Sequence, residues 1–257
     1  MRKSDDAKAG EELILACELH SVDGIRRALD AGLHVQAPIR GRTPVEWLIE
    51  MYPRSDHFAE CFRLLLERGA VLNDARVAAV LLNDADALTH AIRADPSLLA
   101  HRTSLTVTFT PLIGATLLHV AAEYGHVAVA RVLIEMGAEV DARAAIDDDG
   151  MNGHTALFHT VNSNGNRSAP VMELLLDAGA QADVRLAGIT WGKGFAWETT
   201  CFDVTPLSYA QLGLLPQMHR TERDTYANVQ RLLQAAGRPL PLLVNVPNRY
   251  VYPTPRS

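Results

Sequence analysis

One phrase recurs five times along this chain: a leucine-rich stretch that closes on a glycine. The closing residues are Gly32, Gly69, Gly137, Gly179 and Gly237. A helix commonly ends in the left-handed conformation, which costs glycine almost nothing, so each phrase predicts a helix that stops at its glycine. A chain of such short helices can bury its apolar residues only by packing each helix against its neighbours in sequence.

A second recurring motif precedes several of these helices, and the residue common to all its copies is threonine. The threonines are Thr43, Thr116, Thr155 and Thr205. Threonine can cap the N-terminus of a helix, and proline, present here as Pro44 and Pro206, fits the first helical position. Each unit is therefore predicted to run as turn, short helix, turn, second helix and glycine stop.

The stretch 114–142 resembles an ankyrin repeat almost letter for letter. The letters that carry the resemblance are TLLHVAA at 116–122, GH at 125–126, VLI at 132–134, GA at 137–138 and VD at 140–141. The likeness is good in the next unit and degenerate elsewhere, as in bacterial ankyrin-repeat proteins. It implies an all-α fold, an ankyrin-repeat solenoid of about six helix-turn-helix units with three long finger loops.

The resemblance divides the chain into three parts. Residues 1–10 are an N-terminal extension, residues 11–239 are the ankyrin-repeat domain, and residues 240–257 are a proline-rich C-terminal tail. The predicted units are 11–38, 41–73, 75–99, 114–143, 153–184 and 203–239, and the second carries an insert at 51–57 between its helices.

The spacing of the threonines shows where the repeat is stretched. Thr116, Thr155 and Thr205 lie 39 and 50 residues apart (155 − 116 and 205 − 155), against about 33 in an ideal array. Helices cannot absorb the surplus without losing their packing register, so it falls in the fingers, the loops between one unit and the next. The long fingers are predicted at 100–113, 142–152 and 185–202, and loops of such length are usually functional or disordered.

The third finger has the wrong composition for disorder, because it carries four aromatic residues and no proline. They are Trp191, Phe195, Trp197 and Phe202. Aromatic residues in a loop either pack on the fold or face a ligand, and the sequence leaves both readings open. Lys193 lies between two glycines, but the surrounding sequence lacks the rest of a phosphate-binding motif. Glu198 adds a carboxylate to this finger.

Other candidate residues follow from the family slot that faces the groove. The resemblance implies that Glu123 and Tyr124 face the concave groove, with Asn162 in the matching slot of the next unit; a plain solvated face is the alternative. In the family, the histidine at the position of His119 usually bonds the neighbouring turn, and we expect the same structural role for His126.

Acidic and imidazole groups cluster near the second finger. The run of Asp147, Asp148 and Asp149 could hold a divalent cation, although it lacks the EF-hand pattern and a solvated acidic loop is the favoured reading. Asn152 follows the run. His154 and His159 could form a general acid/base cluster with Asp149, Glu198 and Asp203, but nothing in their spacing demands it. The cysteines lack zinc-site spacing, and we expect no metal and no cofactor.

Composition narrows the function further. A net charge of −6 without a basic face argues against nucleic-acid binding. A run of roughly 18 apolar residues is missing, the N-terminus lacks a signal-peptide pattern, and the three cysteines are scattered, so no membrane partner and a cytoplasmic location are expected.

Two functions remain open at this point. The favoured one is a binding module that engages a protein partner through its concave face and long fingers, as the family mostly does, without enzymatic activity. The alternative is a site for a small, sugar-like molecule, or an acid/base enzyme site, formed by the three fingers. The predicted binding residues are Glu123, Tyr124, Asp148, Asp149, Asn152, His154, His159, Asn162, Trp191, Lys193, Trp197 and Glu198.

Overall fold

The computed structural model describes residues 2–193, 196, 198–212 and 221–237. Twelve α-helices occur within them. They are α1 Arg2–Glu18, α2 Val22–Asp30, α3 Pro44–Glu50, α4 Phe58–Glu67, α5 Ala78–Leu81, α6 Ala85–Ala94, α7 Leu117–Tyr124, α8 Val127–Glu135, α9 Ala156–Val161, α10 Ala169–Asp177, α11 Pro206–Gln211 and α12 Glu222–Ala235. Short 3₁₀ turns lie at Ala75–Val77, Pro96–Ala100 and Asn164–Asn166.

The helices pack as consecutive pairs, from α1 with α2 to α11 with α12. Equivalent helices of neighbouring pairs also touch, such as α7 with α9 and α8 with α10, so the pairs stack into a helix-turn-helix solenoid. The count of six ankyrin units stays a prediction. Helix α1 begins at Arg2 and so includes most of the predicted extension 1–10, whereas the predicted tail 240–257 lies outside the described residues.

The predicted helix stops are confirmed. All five closing glycines have positive φ, from 65° at Gly237 to 102° at Gly32. The predicted insert also has its place, because α3 ends at Glu50 and α4 begins at Phe58. Local sequence therefore sets both the length and the end of each helix.

The expectation of an all-α fold needs a correction, because the first and third long fingers form β-hairpins. Strand β1 (Arg102–Leu105) pairs antiparallel with β2 (Leu112–Thr116), and β3 (Leu186–Trp191) pairs antiparallel with β4 (Thr199–Val204). The physical reason is that backbone groups outside a helix still need hydrogen-bond partners, and a long loop supplies them by pairing with itself.

The second finger joins the two hairpins. Its Ala145 N–H donates to the Ile113 carbonyl at 3.0 Å, and its Asn152 N–H donates to the Gly188 carbonyl at 2.8 Å. Gly188 is required at this approach, because a Cβ there would lie 2.8 Å from the Cys201 carbonyl oxygen. We call residues 102–116, 144–154, 186–193 and 198–204 the finger layer. The three long fingers thus project together at one edge of the stack.

Buried histidines bond one helix pair to the next. The Nδ1 atom of His119 accepts the Thr116 N–H at 3.2 Å, so the proton of the neutral ring is on Nε2, which donates to the His154 carbonyl at 3.1 Å. The Nδ1 atom of His126 lies 2.7 Å from the Val80 carbonyl oxygen in the preceding pair. The structural roles predicted for His119 and His126 are confirmed.

Candidate functional site

The tip of the first finger, residues 106–111, lies across the first helices of the pairs. The Thr108 hydroxyl donates to the Glu50 carbonyl at 2.7 Å, at the end of α3. The Thr110 hydroxyl lies 2.6 Å from the Tyr209 hydroxyl, in α11. This finger tip therefore contacts both the second helix pair and the last, and it lies over the face that the sequence predicted to be the concave groove.

Aromatic rings fix the finger tip in place. Phe109 packs edge-on between Tyr52 of the 51–57 insert and Trp191 of the third finger, with ring centroids 4.3 and 5.2 Å apart. The Trp191 indole N–H donates to the Tyr209 hydroxyl at 2.6 Å. Trp191 is buried, so this residue packs on the fold, which is one of the two roles that the sequence left open for the aromatic residues. Phe195 and Trp197 lie outside the described residues.

A chain of polar groups runs beneath this cover. Arg54 Nη2 lies 3.0 Å from Glu123 Oε1, and Glu123 Oε2 accepts from His159 Nδ1 at 2.9 Å. His159 Nε2 lies 3.1 Å from His154 Nε2. We call Arg54, Glu123, His159 and His154 the buried polar chain. A carboxylate followed by two imidazoles has the order of a proton relay, with the carboxylate fixing the tautomer of the ring beside it.

Burial decides what the chain can do. The side chains of Arg54 and His159 are 5% and 0% exposed, and Glu123 is 16% exposed. Burial lowers the pKa of His154 well below its usual value, and the neighbouring His159 and His119 lower it further. His154 is therefore neutral at physiological pH and out of reach of solvent. The buried polar chain holds the insert to the stack, and burial keeps its imidazole rings from solvent.

Tyr124 is part of the same packing. Its hydroxyl donates to the Ile49 carbonyl at 2.8 Å, and the Arg54 guanidinium stacks 4.3 Å from its ring centroid. Asn162, in the matching slot of the next unit, is also buried. The slot that the family resemblance placed at the groove is thus an internal surface in this chain.

The acid/base cluster proposed from the sequence is not assembled. The carboxylate beside His159 is Glu123, whereas Asp149 pairs with Lys193 at 3.0 Å and Asp203 pairs with Arg185. Both carboxylates belong to exposed ion pairs of the fingers. The physical reason is that His154 and His159 are buried, whereas Asp149 and Asp203 lie on the exposed surface of the fingers.

The aspartate run is closed by a lysine. Asp147 accepts hydrogen bonds from the backbone of Asp149 and Met151, at 3.1 and 2.9 Å. The Lys193 ammonium lies 3.0 Å from the carboxylates of both Asp147 and Asp149, and these hydrogen bonds raise its pKa. The Lys193 ammonium therefore occupies the position that the sequence suggested for a divalent cation. In the described part of the chain, no group of three or more His, Cys, Asp or Glu residues is placed to hold a metal ion.

The remaining predicted residues divide between the two sides of the finger layer. The Asn152 amide donates to Asp147 at 3.1 Å and accepts the Thr190 N–H at 3.4 Å, so it is buried as a link between two fingers. Asp148 and Glu198 are exposed. Whether any of these residues binds a partner stays a prediction.

Two exposed apolar residues of the finger layer, Ile113 and Ile146, were not predicted from the sequence, whereas Phe202 was among the aromatic residues expected either to pack on the fold or to face a ligand. Ile113, Ile146 and Phe202 are 51%, 68% and 68% exposed, and each belongs to a different finger. Phe202 stands opposite Gly188 in the β3–β4 register, and a Cβ at Gly153 would lie 2.7 Å from the Ile146 side chain. Exposed apolar side chains on fingers that hydrogen-bond to one another are candidates for an interaction surface, and no local pattern in the sequence marks which apolar residues of a finger are exposed.

Stacked helix pairs with β-hairpin fingers at one edge define a class, the helical-repeat solenoids. A comparison with protein-family models matches residues 76–186 to ankyrin repeats, in three copies. Residues 76–186 are therefore ankyrin repeats, as the resemblance at 114–142 predicted. A search of curated protein sequences found no significant match. Among the described residues, the helices are each too short or too polar to cross a bilayer.

The first prediction concerns Glu123. We expect Glu123→Gln to lower the free energy of unfolding by about 3 kcal/mol, because it leaves the buried Arg54 guanidinium without its counter-charge. The matched control is Glu60→Gln, which removes an exposed carboxylate paired with His57 and should cost less than about 0.5 kcal/mol. Urea denaturation of both variants measures the difference, and equal losses would contradict the structural role of Glu123.

The second prediction concerns acid. Burial lowers the pKa of His119 to about 3 and those of His20 and His126 to about 4, whereas each is near 6.5 in the unfolded chain. Below pH of about 6.5 the unfolded chain takes up protons that the folded chain does not, so stability is full above that pH and falls as pH drops towards 4.

Each of these histidines should contribute a slope of about 1.4 kcal/mol per pH unit across that window. Urea denaturation at a series of pH values measures the total slope. His90→Ala, at an exposed histidine, is the control and should leave the slope unchanged. A free energy of unfolding that stays flat between pH about 7 and about 5.5 would contradict the burial of neutral rings.

Proposed function

We propose that this protein is a binding module that engages a protein partner through its finger layer. Ankyrin repeats are in general protein–protein interaction modules. The observation that carries the proposal is the exposure of Ile113, Ile146 and Phe202 on three fingers that hydrogen-bond to one another, while residues 106–111 cover the face of the first helices.

The physical argument starts from the cost of binding. Ordering a mobile loop on association costs free energy, and a surface held in place beforehand avoids that cost. The bonds from Ala145 to Ile113 and from Asn152 to Gly188 hold the three fingers in one layer before any partner arrives. Apolar side chains on a fixed layer are the kind of anchor that carries most of the energy of an interface.

Charged pairs beside these residues supply specificity. Arg185 pairs with Asp203, next to Phe202, and Lys193 pairs with Asp147 and Asp149, next to Met151. A polar rim around an apolar centre is the usual anatomy of a protein interface, and its charges steer the partner and fix its orientation. Asp149 and Lys193 were both predicted as binding residues. The carboxylate of Asp149 and the ammonium of Lys193 fit this rim.

The alternative, a small-molecule or acid/base site, has one observation in its favour, the carboxylate–imidazole order of the buried polar chain. A ligand would reach it only after the finger tip and the 51–57 insert had moved away from the stack. Such a site is the second candidate.

Three free cysteines, two of them buried, also support a reducing compartment as part of the proposal.

The third prediction tests the finger layer in cells that express the protein. A photo-crosslinking residue, p-benzoylphenylalanine, replaces Ile146 in one chain and the exposed Glu67 of helix α4 in a control chain. We expect irradiation to give a discrete protein adduct from position 146 and none from position 67, because only the fingers face the partner.

A second substitution makes the test specific. Phe202→Asp in the chain that carries the probe at 146 should reduce the adduct by a factor of about 10, since truncating an apolar anchor of an interface typically costs 1 kcal/mol or more. Unfolding midpoints establish that both chains are folded. Equal adducts from positions 146 and 67, no adduct at 146, or an adduct indifferent to Phe202→Asp would contradict the proposal.

A further inference from the structure

The stack is thin between the second and third helix pairs. Helix α3 touches α5 less than other neighbouring first helices touch each other. The cause is local, because α5 has only four residues and follows a 3₁₀ turn at Ala75–Val77. A helix of one turn cannot cover the seven-residue face of α3, so a cleft of about 360 Å³ remains there.

The cleft has an apolar floor and an acidic edge. Val45, Ile49 and Val77 lie on the floor, and Glu46 and Asp74 supply two carboxylates. The lining residues, all within the described part of the chain, include no Lys, Arg or His. Its volume is near the lower end of the range of about 300–1,000 Å³ for ligand pockets, so it suits one long side chain better than a helix.

Glu46 is the carboxylate best placed to receive a ligand. Its Oε2 atom accepts the N–H and the hydroxyl of Thr43, both at 2.8 Å, whereas its Oε1 atom accepts from the Asn73 amide at 3.4 Å. The backbone hydrogen bond from Thr43 lowers the pKa of Glu46, so it is ionised at neutral pH. These hydrogen bonds come from neutral donors, and Oε1 keeps room for a stronger one.

Asp74 supplies a second negative charge that is already held in place. His101 Nε2 lies 2.5 Å from one of its oxygens, and Arg76 bonds the other. Burial would raise the pKa of Asp74, but hydrogen bonds, led by the one from His101, lower it to about 2. Asp74 is thus already paired with Arg76 and His101, and Glu46 is left as the anchor.

The cleft is continuous with the finger layer. Ser104 and Leu105, in strand β1 of the first finger, and Thr106, which follows them, form one of its walls. The cleft is also lined by Val71, an apolar residue that is 68% exposed. A partner lying on the fingers would therefore reach the cleft without crossing the rest of the solenoid.

We propose that this cleft receives an arginine side chain of the protein partner, next to an apolar residue that packs on Val71. The inference rests on the proposed function and adds the chemistry of the partner. An arginine stem is apolar and fits the floor, and its guanidinium is weakly hydrated and presents several N–H donors, which can bond Glu46 Oε1 and the Asn73 amide oxygen together.

The fourth prediction uses the full chain and the tripeptide N-acetyl-Leu-Arg-Leu-amide as a probe. Two-dimensional NMR of the isotope-labelled protein should show shifts confined to amides of 43–49, 71–77 and 104–106 on titration. The peptide with citrulline in place of arginine has the same shape without the charge, and we expect it to bind about 10-fold more weakly.

Glu46→Gln tests the anchor without removing the helix cap, because glutamine also serves in a capping box. We expect this variant to bind the arginine peptide about 10-fold more weakly while it stays folded at the temperature of the titration, which its unfolding midpoint establishes. Glu139→Gln, at an exposed carboxylate in another repeat, removes the same charge and should bind as the unaltered chain does.

Three results would overturn the inference: equal binding of the citrulline peptide, shifts only outside the cleft, or unaltered binding by Glu46→Gln. The failure is separable from that of the proposed function, because the adduct at position 146 does not depend on the tripeptide. An adduct without peptide binding removes the arginine site alone, and peptide binding without an adduct removes the finger-layer interface alone.

Discussion

The register between neighbouring helix pairs is the constraint on which the rest of this structure depends. Buried bonds that cross from one pair to the next, from His119 to the His154 carbonyl and from His126 to the Val80 carbonyl, fix where each pair sits. Once the pairs are in register, their helices cannot lengthen, so surplus residues must leave the stack at the same edge. The finger layer is the direct consequence.

The same constraint explains why the groove is filled. Fingers that start from one edge can either extend away from the stack or fold back over the first helices, and the first finger does both. Its strands join the finger layer, and its tip returns to Glu50 and Tyr209. Arg54, in the 51–57 insert, then pairs with Glu123 and forms one end of the buried polar chain. The binding surface that we propose therefore lies on the fingers and not in the groove.

Much of the fold could be predicted from the sequence because its signals are local. A glycine with positive φ, a threonine cap and the histidine of the ankyrin phrase each act within a few residues, as Gly137, Thr43 and His119 show. The position of the long fingers followed from spacing alone. Their hairpin structure could not be predicted in the same way, because residues such as Leu186 and Val204 pair across 18 residues (204 − 186), beyond the few residues over which these local signals act.

The site was harder to predict for the same reason. The sequence placed Glu123, Tyr124 and His159 on the correct helices, but what covers them comes from elsewhere. Thr110 and its partner Tyr209 are separated by 99 residues, and no local pattern announces such a contact. The sequence shows the apolar residues of the fingers, but only the cross-finger hydrogen bonds place the three fingers in one layer.

The central claim is that the three fingers form one hydrogen-bonded layer, and amide hydrogen exchange of the free protein tests it most directly. The amides of Ala145 and Asn152 donate across fingers, whereas Asp148 is exposed at the tip of the second finger. The account predicts that Ala145 and Asn152 exchange slower than Asp148 by a factor of about 100 or more after correction for intrinsic rates. Exchange at all three positions with the same protection would show that the fingers move independently, and it would contradict the account.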